Sequence, residues 1–268
     1  MEPKISILMG IYNCADTLPQ AVDSILAQTY PNWELILCDD GSADDTYAVA
    51  ERYRSRFPEQ IILLKNERNM GLNHTLNHCL AHARGEYIAR MDGDDVSLPR
   101  RLETELAFLE SHPEYDIVSC PMIYFDEEGS WQNGLRLPEE PDPRMLVRGT
   151  VHCHAPCMVR TAAIRSVGGY SVDRKLLRVE DWHLWIKLYA AGSRGRNLTE
   201  PLYMMRDDRA AAGRRKLSAR FNEAHVSLLA VRTFRLPLWN CAYALRPIIL
   251  GLLPMPVYRY LHRKRLQG

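Results

Sequence analysis

The first hundred residues alternate short strand patterns with amphipathic helix patterns, and that rhythm leaves few architectures open. Ile5–Met9 reads as a strand, and Leu18, Ala21, Val22, Ile25 and Leu26 recur behind it at helical spacing. Trp33–Cys38 is a second strand, closed by Asp39-Asp40-Gly41-Ser42. Ser42 or Asp44 can cap the next helix, which runs to about Phe57 and is stopped by Pro58. Ile61–Leu64 is a third strand, and Leu72, Leu76, Cys79, Leu80 and Ala83 mark a third helix ending near Gly85. Tyr87–Met91 is a fourth strand, followed by a helix bearing Leu102, Leu106 and Leu109. A βαβαβαβα order predicts an α/β protein: a mostly parallel, Rossmann-like sheet flanked by helices on both faces.

Between the fourth strand and its helix stand Asp92, Gly93, Asp94 and Asp95. Three carboxylates at one strand end repel one another unless a cation sits among them. Hard ions such as Mg2+ or Mn2+ take oxygen ligands and often share them with substrate phosphates. Strand ends of open α/β sheets are also where ligands bind, which sets this run apart from a solvated acidic turn. An EF-hand is excluded, because Ser97 stands where the turn glycine is required and Pro99 breaks the loop. An aspartyl phosphatase-type hydrolase with Asp92 as nucleophile is a rival reading. That motif normally closes the first strand, whereas three βα units precede it here. No Gly-x-Gly-x-x-Gly run is present, which argues against a dinucleotide enzyme.

The seven cysteines are odd in number and irregular in spacing, so a reducing compartment is expected rather than a disulfide framework. His152-Cys153-His154-Ala155-Pro156-Cys157 lacks a second ligand pair at finger-like spacing, and the cysteines read as small buried apolar residues. Ile5–Met9 is too short for a signal-peptide core. The apolar run Pro247–Tyr258 is too short to span a bilayer and is interrupted by Pro254 and Pro256. A formal net charge of +1 decides nothing about nucleic acid, and no nucleic-acid partner is expected.

Three stretches carry a resemblance. The first runs from Ile5 through Tyr12-Asn13 and Gln28-Thr29-Tyr30 to Asp39-Asp40-Gly41-Ser42. The second is Gly85-Glu86-Tyr87-Ile88-Ala89-Arg90-Met91-Asp92-Gly93-Asp94-Asp95 with Pro99, Arg101 and Leu102. The third is Gly168-Gly169-Tyr170 followed by Val179-Glu180-Asp181-Trp182. In this order they resemble family 2 glycosyltransferases, inverting nucleotide-sugar enzymes of the GT-A fold, over roughly residues 4 to 206.

The resemblance implies a nucleotide-sugar donor, with UDP expected, and a glycan or lipid-linked saccharide acceptor in bacterial surface polysaccharide synthesis. It implies that Asp40 accepts the imide N–H of a uracil ring, that Tyr12 packs on the base and that Asp39 braces the loop. Asp92 would meet the ribose or the metal, Asp94 would ligate Mn2+ or Mg2+, and Asp95 would stand behind them. Asp181 would be the general base, with Glu180 its close rival. A non-catalytic nucleotide-sugar-binding subunit is the other alternative, and the Glu180-Asp181 pair argues against it.

Two departures stand out. Many relatives carry a small hydroxyl residue near Gly10, and many carry Arg-Asn where Leu76-Asn77 stands here. The cation over the diphosphate must therefore come from elsewhere. Arg68, Arg90 and the cluster Arg206, Arg209, Arg214 and Arg215 are the candidates. Trp182 and Trp185 read as core before sugar-stacking residues. His154 lies where relatives line the acceptor side, and a core histidine is at least as good a reading.

A soft boundary at about 208–215 divides a catalytic domain (1–210) from a basic, amphipathic helical extension (211–268). Leu236, Leu238, Trp239, Ile248, Ile249 and Leu252 lie there among Arg246, Arg259, Arg263, Lys264 and Arg265. Such a segment suits the interface of a membrane. The alternative is helices that pack on the domain or dimerise. The expected location is the cytoplasm, with the extension as a peripheral contact to the inner face of the plasma membrane.

Overall fold

The computed structural model describes residues 2–132, 137–207 and 217–252. Its elements run β1 (Ile5–Ile11), α1 (Leu18–Leu26), β2 (Trp33–Asp39), α2 (Thr46–Arg56), β3 (Ile61–Lys65), α3 (Leu72–His82) and β4 (Tyr87–Asp92). There follow β5 (Val96–Ser97), α4 (Arg101–Ser111), β6 (Ile117–Ser119), β7 (Met122–Asp126), β8 (Gly129–Trp131), β9 (Met158–Arg160) and α5 (Thr161–Ser166). The rest are α6 (Glu180–Ala190), β10 (Gly195–Asn197), β11 (Tyr203–Arg206), α7 (Leu217–Thr233) and α8 (Leu245–Leu252).

Seven strands form the main sheet in the order β10-β6-β9-β4-β1-β2-β3. Every pairing in it is parallel except those of β9, which lies antiparallel to both β4 and β6. Strand β9 spans only Met158–Arg160 and runs against its neighbours, a direction that hydrophobic pattern alone cannot reveal. A smaller sheet, β5-β11-β7-β8, packs beside the first.

The central strands are buried on both faces, as parallel strands between helical layers must be. Ile5, Ile7, Met9, Leu35 and Leu37 face α1 and α4 through Val22, Ile25, Leu102 and Leu106. Leu8, Ile36 and Cys38 face Leu76, Cys79, Leu184 and Trp185 on the other side. Helix α7 joins this second core with Val226, Ala230 and Val231. Its buried Ser227 Oγ donates to the Val147 carbonyl at 2.7 Å. Helix α7, which lies in the expected extension, is thus packed on the sheet's second core. Arg259, Arg263, Lys264 and Arg265 lie outside the described residues, as does the 208–215 boundary.

Strand order places the site. The chain moves from β1 outward to β2 and β3, then returns to add β4 on the opposite side of β1. Gly10 pairs with both Cys38 and Asp92, and Ile11 pairs with Asp39, so the carboxyl ends of β1, β2 and β4 lie level. This reversal of strand order is the crevice where open α/β sheets take ligands.

Candidate active site

On one side of β1 lies a cleft of about 190 Å³ lined by Gly10, Tyr12, Asp40, Asn69, Leu72 and Thr75, among others. Tyr12 is half exposed at its mouth. Asp40 is buried at its end. Its Oδ1 accepts from Asn66 Nδ2 and the Met70 amide, both at 2.8 Å, and its Oδ2 accepts from the Gly71 amide at 2.9 Å. A carboxylate has about four acceptor positions. Three are filled, and Oδ2 keeps one.

Asp39 turns the other way: it is fully buried, and its carboxylate accepts from the Ser42 amide. Gly41 adopts φ +73 and a Cβ there would sit 2.7 Å from the Arg68 backbone, so the Asp39–Ser42 turn and the loop after β3 fit only with glycine. A Cβ at Gly10 would already meet Leu72 and Thr75 side chains at 3.2 Å. The hydroxyl that many relatives carry near this point is supplied at the cleft by Thr75 instead, whose Oγ1 donates to the Gly71 carbonyl. Arg68 is exposed on that loop.

On the other side of β1, oxygens of Asp92, Asp94 and Asp95 lie within 4.8 Å of one another. The three are held very differently. Asp92 forms a two-pronged ion pair with buried Arg90. Burial opposes the charge on Arg90, but the Asp92 carboxylate holds its pKa above the ordinary value. Asp95 is buried, with Oδ2 accepting from Tyr203 O–H at 2.9 Å and Oδ1 from the Arg206 amide at 2.8 Å. Burial, then the charges of Asp92 and Asp94, push its carboxyl up to about 8. Asp94 stands exposed at the mouth, where desolvation and the Asp92 charge raise its pKa. The set suits a hard divalent ion: the oxygens converge, and their mutual repulsion is what such an ion relieves.

The third stretch lies within electrostatic reach of Arg90. Glu180 and Asp181 open α6, where the helix dipole favours anions. The residue before the helix cap, Arg178, has φ +69, a conformation that costs energy for a non-glycine residue. Burial, then the Asp181 charge, raises the Glu180 pKa, and Arg90 partly offsets this. Asp181 lies close enough to Cys153, Cys157 and Tyr170 to add to the upward shifts that burial gives them. His154 Nε2 meets Tyr170 Oη at 2.8 Å, and its burial and Arg90 hold it neutral.

Several expectations change here. Arg90 is committed to Asp92 and is not a free cation for a diphosphate. Arg206 stands at the rim, its guanidinium bonded to the Asp94 carbonyl and to Gln20. Arg209, Arg214 and Arg215 lie outside the described residues. Leu76 is core, and Asn77 clamps the Tyr170 backbone through both its amide atoms, at 2.7 and 2.8 Å. Trp182 and Trp185 are buried in the core. A larger open groove of about 600 Å³ lies between α1 and α2.

Residues 6–168 match the model of the family described as Glycosyl transferase family 2. The chain is 44% identical to the glycosyltransferase-family protein EpsE of Bacillus subtilis (strain 168), covering 99% of this chain and 95% of that one. It is 28% identical to WfaP of Escherichia coli, a UDP-Glc:alpha-D-GlcNAc-diphosphoundecaprenol beta-1,3-glucosyltransferase, over 72% of this chain and 73% of WfaP. Among solved structures, S. aureus TarS 1-349 in complex with UDP-GlcNAc superposes with a TM-score of 0.69 at 20% identity, covering 93% of this chain and 71% of that one. The mannosyltransferase PcManGT from Pyrobaculum calidifontis, in complex with GDP-Man and Mn2+, gives 0.64 at 19%, covering 98% and 80%. At these identities the structures establish the GT-A architecture alone. With the family match and the EpsE likeness spanning nearly the whole chain, the two-sided crevice at the strand-order reversal belongs to a glycosyltransferase, a member of glycosyl transferase family 2.

Proposed function

We propose that the protein transfers a sugar, with inversion, from a uridine-diphosphate donor to a hydroxyl of a glycan or lipid-linked saccharide. One observation carries the donor reading: the Asp40 carboxylate ends the cleft with a single acceptor position open, complementary to one ring N–H. WfaP, named for UDP-Glc and a diphosphoundecaprenol-linked acceptor, and the UDP-GlcNAc complex of TarS support the same class. Tyr12 covers the base, and Asp39 holds the loop that carries Asp40.

Asp94, with Asp92, would hold Mn2+ or Mg2+, which supplies charge neutralisation for a leaving diphosphate when bound. Asp92 is fixed by Arg90, which suits a ligand and ill suits the nucleophile of a phosphatase. Asp95 ties the acidic loop to β11. Arg206 is the nearest described candidate for a cation toward the diphosphate, and Arg68 stands exposed on the base side.

Asp181 takes the proton of the acceptor hydroxyl as its oxygen attacks the anomeric carbon. The bond from that carbon to the diphosphate oxygen breaks, and the electron pair leaves with the nucleotide. Glu180 is the alternative base, and its raised pKa would suit the role. Asp181→Asn is expected to keep UDP affinity and lower turnover by at least about 100-fold; Asp94→Ala should abolish metal-dependent UDP binding. Near-normal turnover in Asp181→Asn would move the base to Glu180. Calorimetric titration of UDP with Mn2+ and then with EDTA tests the donor reading directly.

No helix among the described residues is long and apolar enough to cross a membrane. Leu238, Trp239, Leu245, Ile249 and Leu252 nevertheless project into solvent beside exposed Arg232, Arg235 and Arg246. This surface supports a peripheral contact with an anionic bilayer.

A further inference from the structure

Behind Asp40 a chain of hydrogen bonds leads out of the base cleft to α3. Asn66 is buried between them. Its Nδ2 donates to Asp40 Oδ1 at 2.8 Å and to Thr75 Oγ1 at 3.1 Å. Its Oδ1 lies 2.9 Å from His78 Nδ1 and 3.7 Å from Cys38 Sγ.

The chemistry fixes every orientation in this chain. An ionised carboxylate only accepts, so the Asn66 amide must turn its NH2 toward Asp40. The Asn66 oxygen then faces His78, and His78 Nδ1 must carry the proton. Flipping the amide would set two acceptors face to face at Asp40 and waste the His78 donor. Thr75 Oγ1 accepts from Asn66 and spends its own proton on the Gly71 carbonyl at 3.0 Å. That bond also steadies residue Gly71, whose own N–H, in the preceding peptide unit, meets Asp40 Oδ2. His78 itself is only half buried and touches no part of the cleft.

We propose that His78 and Asn66 are positioning residues for nucleotide recognition. His78 locks the Asn66 amide, and Asn66 locks the rotation of the Asp40 carboxylate so that its one open lone pair, on Oδ2, points into the cleft. The inference rests on the uridine-diphosphate reading above. Without the lock, the carboxylate keeps its two backbone donors but gains freedom about its terminal torsion, and discrimination of the base edge falls. Cytosine offers an acceptor where uracil offers N–H, so the ratio of UDP to CDP affinity reports this freedom directly. A general loss of packing would not change that ratio.

The test is calorimetric titration of UDP and CDP, with Mn2+, into the full chain and its His78→Phe, His78→Asn and Asn66→Ala variants. An asparagine at 78 places an N–H near the position of the imidazole Nδ1. His78→Phe is expected to weaken UDP about five- to tenfold, as loss of one buried hydrogen bond does, and to narrow the UDP/CDP ratio. His78→Asn should recover most of both, and Asn66→Ala should exceed His78→Phe. If Asn66→Ala does not fold, the two His78 variants decide. A His78→Phe protein with unchanged UDP affinity and unchanged ratio overturns the positioning role while leaving the donor reading intact. A native protein that binds neither nucleotide overturns the donor reading and this inference with it.

Discussion

His152 shows how far a single side chain can be committed by its surroundings. It is fully buried; Asn197 donates to the Pro138 and Val151 carbonyls, which turns Asn197 Oδ1 toward His152 Nδ1 at 2.7 Å. His152 Nε2 meets Tyr189 Oη at 2.9 Å. A Cβ on Gly195 would come within 2.3 Å of that nitrogen, so the histidine requires glycine beside it. Burial lowers its pKa from 6.5 to about 4. Below about 6.5 the unfolded chain takes up a proton that the folded chain refuses, so this residue removes stability as pH falls toward 4, by up to about 3 kcal/mol. His152→Gln removes the titration. Urea denaturation of both proteins at pH 7 and pH 5 should show the native protein losing more stability than the variant on acidification. Equal losses would place the histidine elsewhere than in a closed pocket.

Among the elements, β11 has an importance that its four residues do not advertise. Tyr203 accepts from the Asp92 amide at 3.2 Å, donates to Asp95 and lies with its ring over the Arg101 guanidinium. Arg101 in turn donates to the Arg90 carbonyl at 2.8 Å. Tyr203→Phe keeps the packing and deletes the bridge. It is expected to weaken Mn2+ affinity and lower turnover about tenfold, and to cost about 1–3 kcal/mol of stability because buried Asp95 loses its donor, measured by metal titration, donor hydrolysis and urea denaturation; an unchanged metal affinity would detach β11 from the acidic loop.

The regular βα units, from β1 to α4, were readable from periodicity because each strand and helix buries a face of its own. The acidic run was readable because its charges adjoin in sequence. Tyr203, Asn66 and Asn77 were not, since their partners are brought together only by the fold: 111 residues separate Asp92 from Tyr203, and 93 separate Asn77 from Tyr170. Short β5 and β10 and the six-residue α5 carry too few side chains to show a period. Arg90 looked like a ligand-facing cation because nothing in the sequence says that a residue two positions on will claim it.

For the molecule as a whole, α7 closes the second core and the apolar surface beyond it faces outward. A chain ending at Thr233 should therefore fold and lose sedimentation with anionic vesicles, whereas one ending at Asp207 should fail to fold cooperatively. Vesicle binding undiminished by the shorter cut would end the membrane reading. Strand order has a further consequence during synthesis. The strand that bears Asp92 pairs with β1 on one side and β9 on the other. As the chain leaves the ribosome, β1 is already present, but residues 158–160 are not made until well after β4 has emerged. Throughout that interval β4 is an unprotected sheet margin, apolar on both faces and open to pairing with another nascent chain. The strand that bears Asp92 is thus sealed only when β9 arrives, and translation speed between residues 92 and 158 sets how long it is vulnerable.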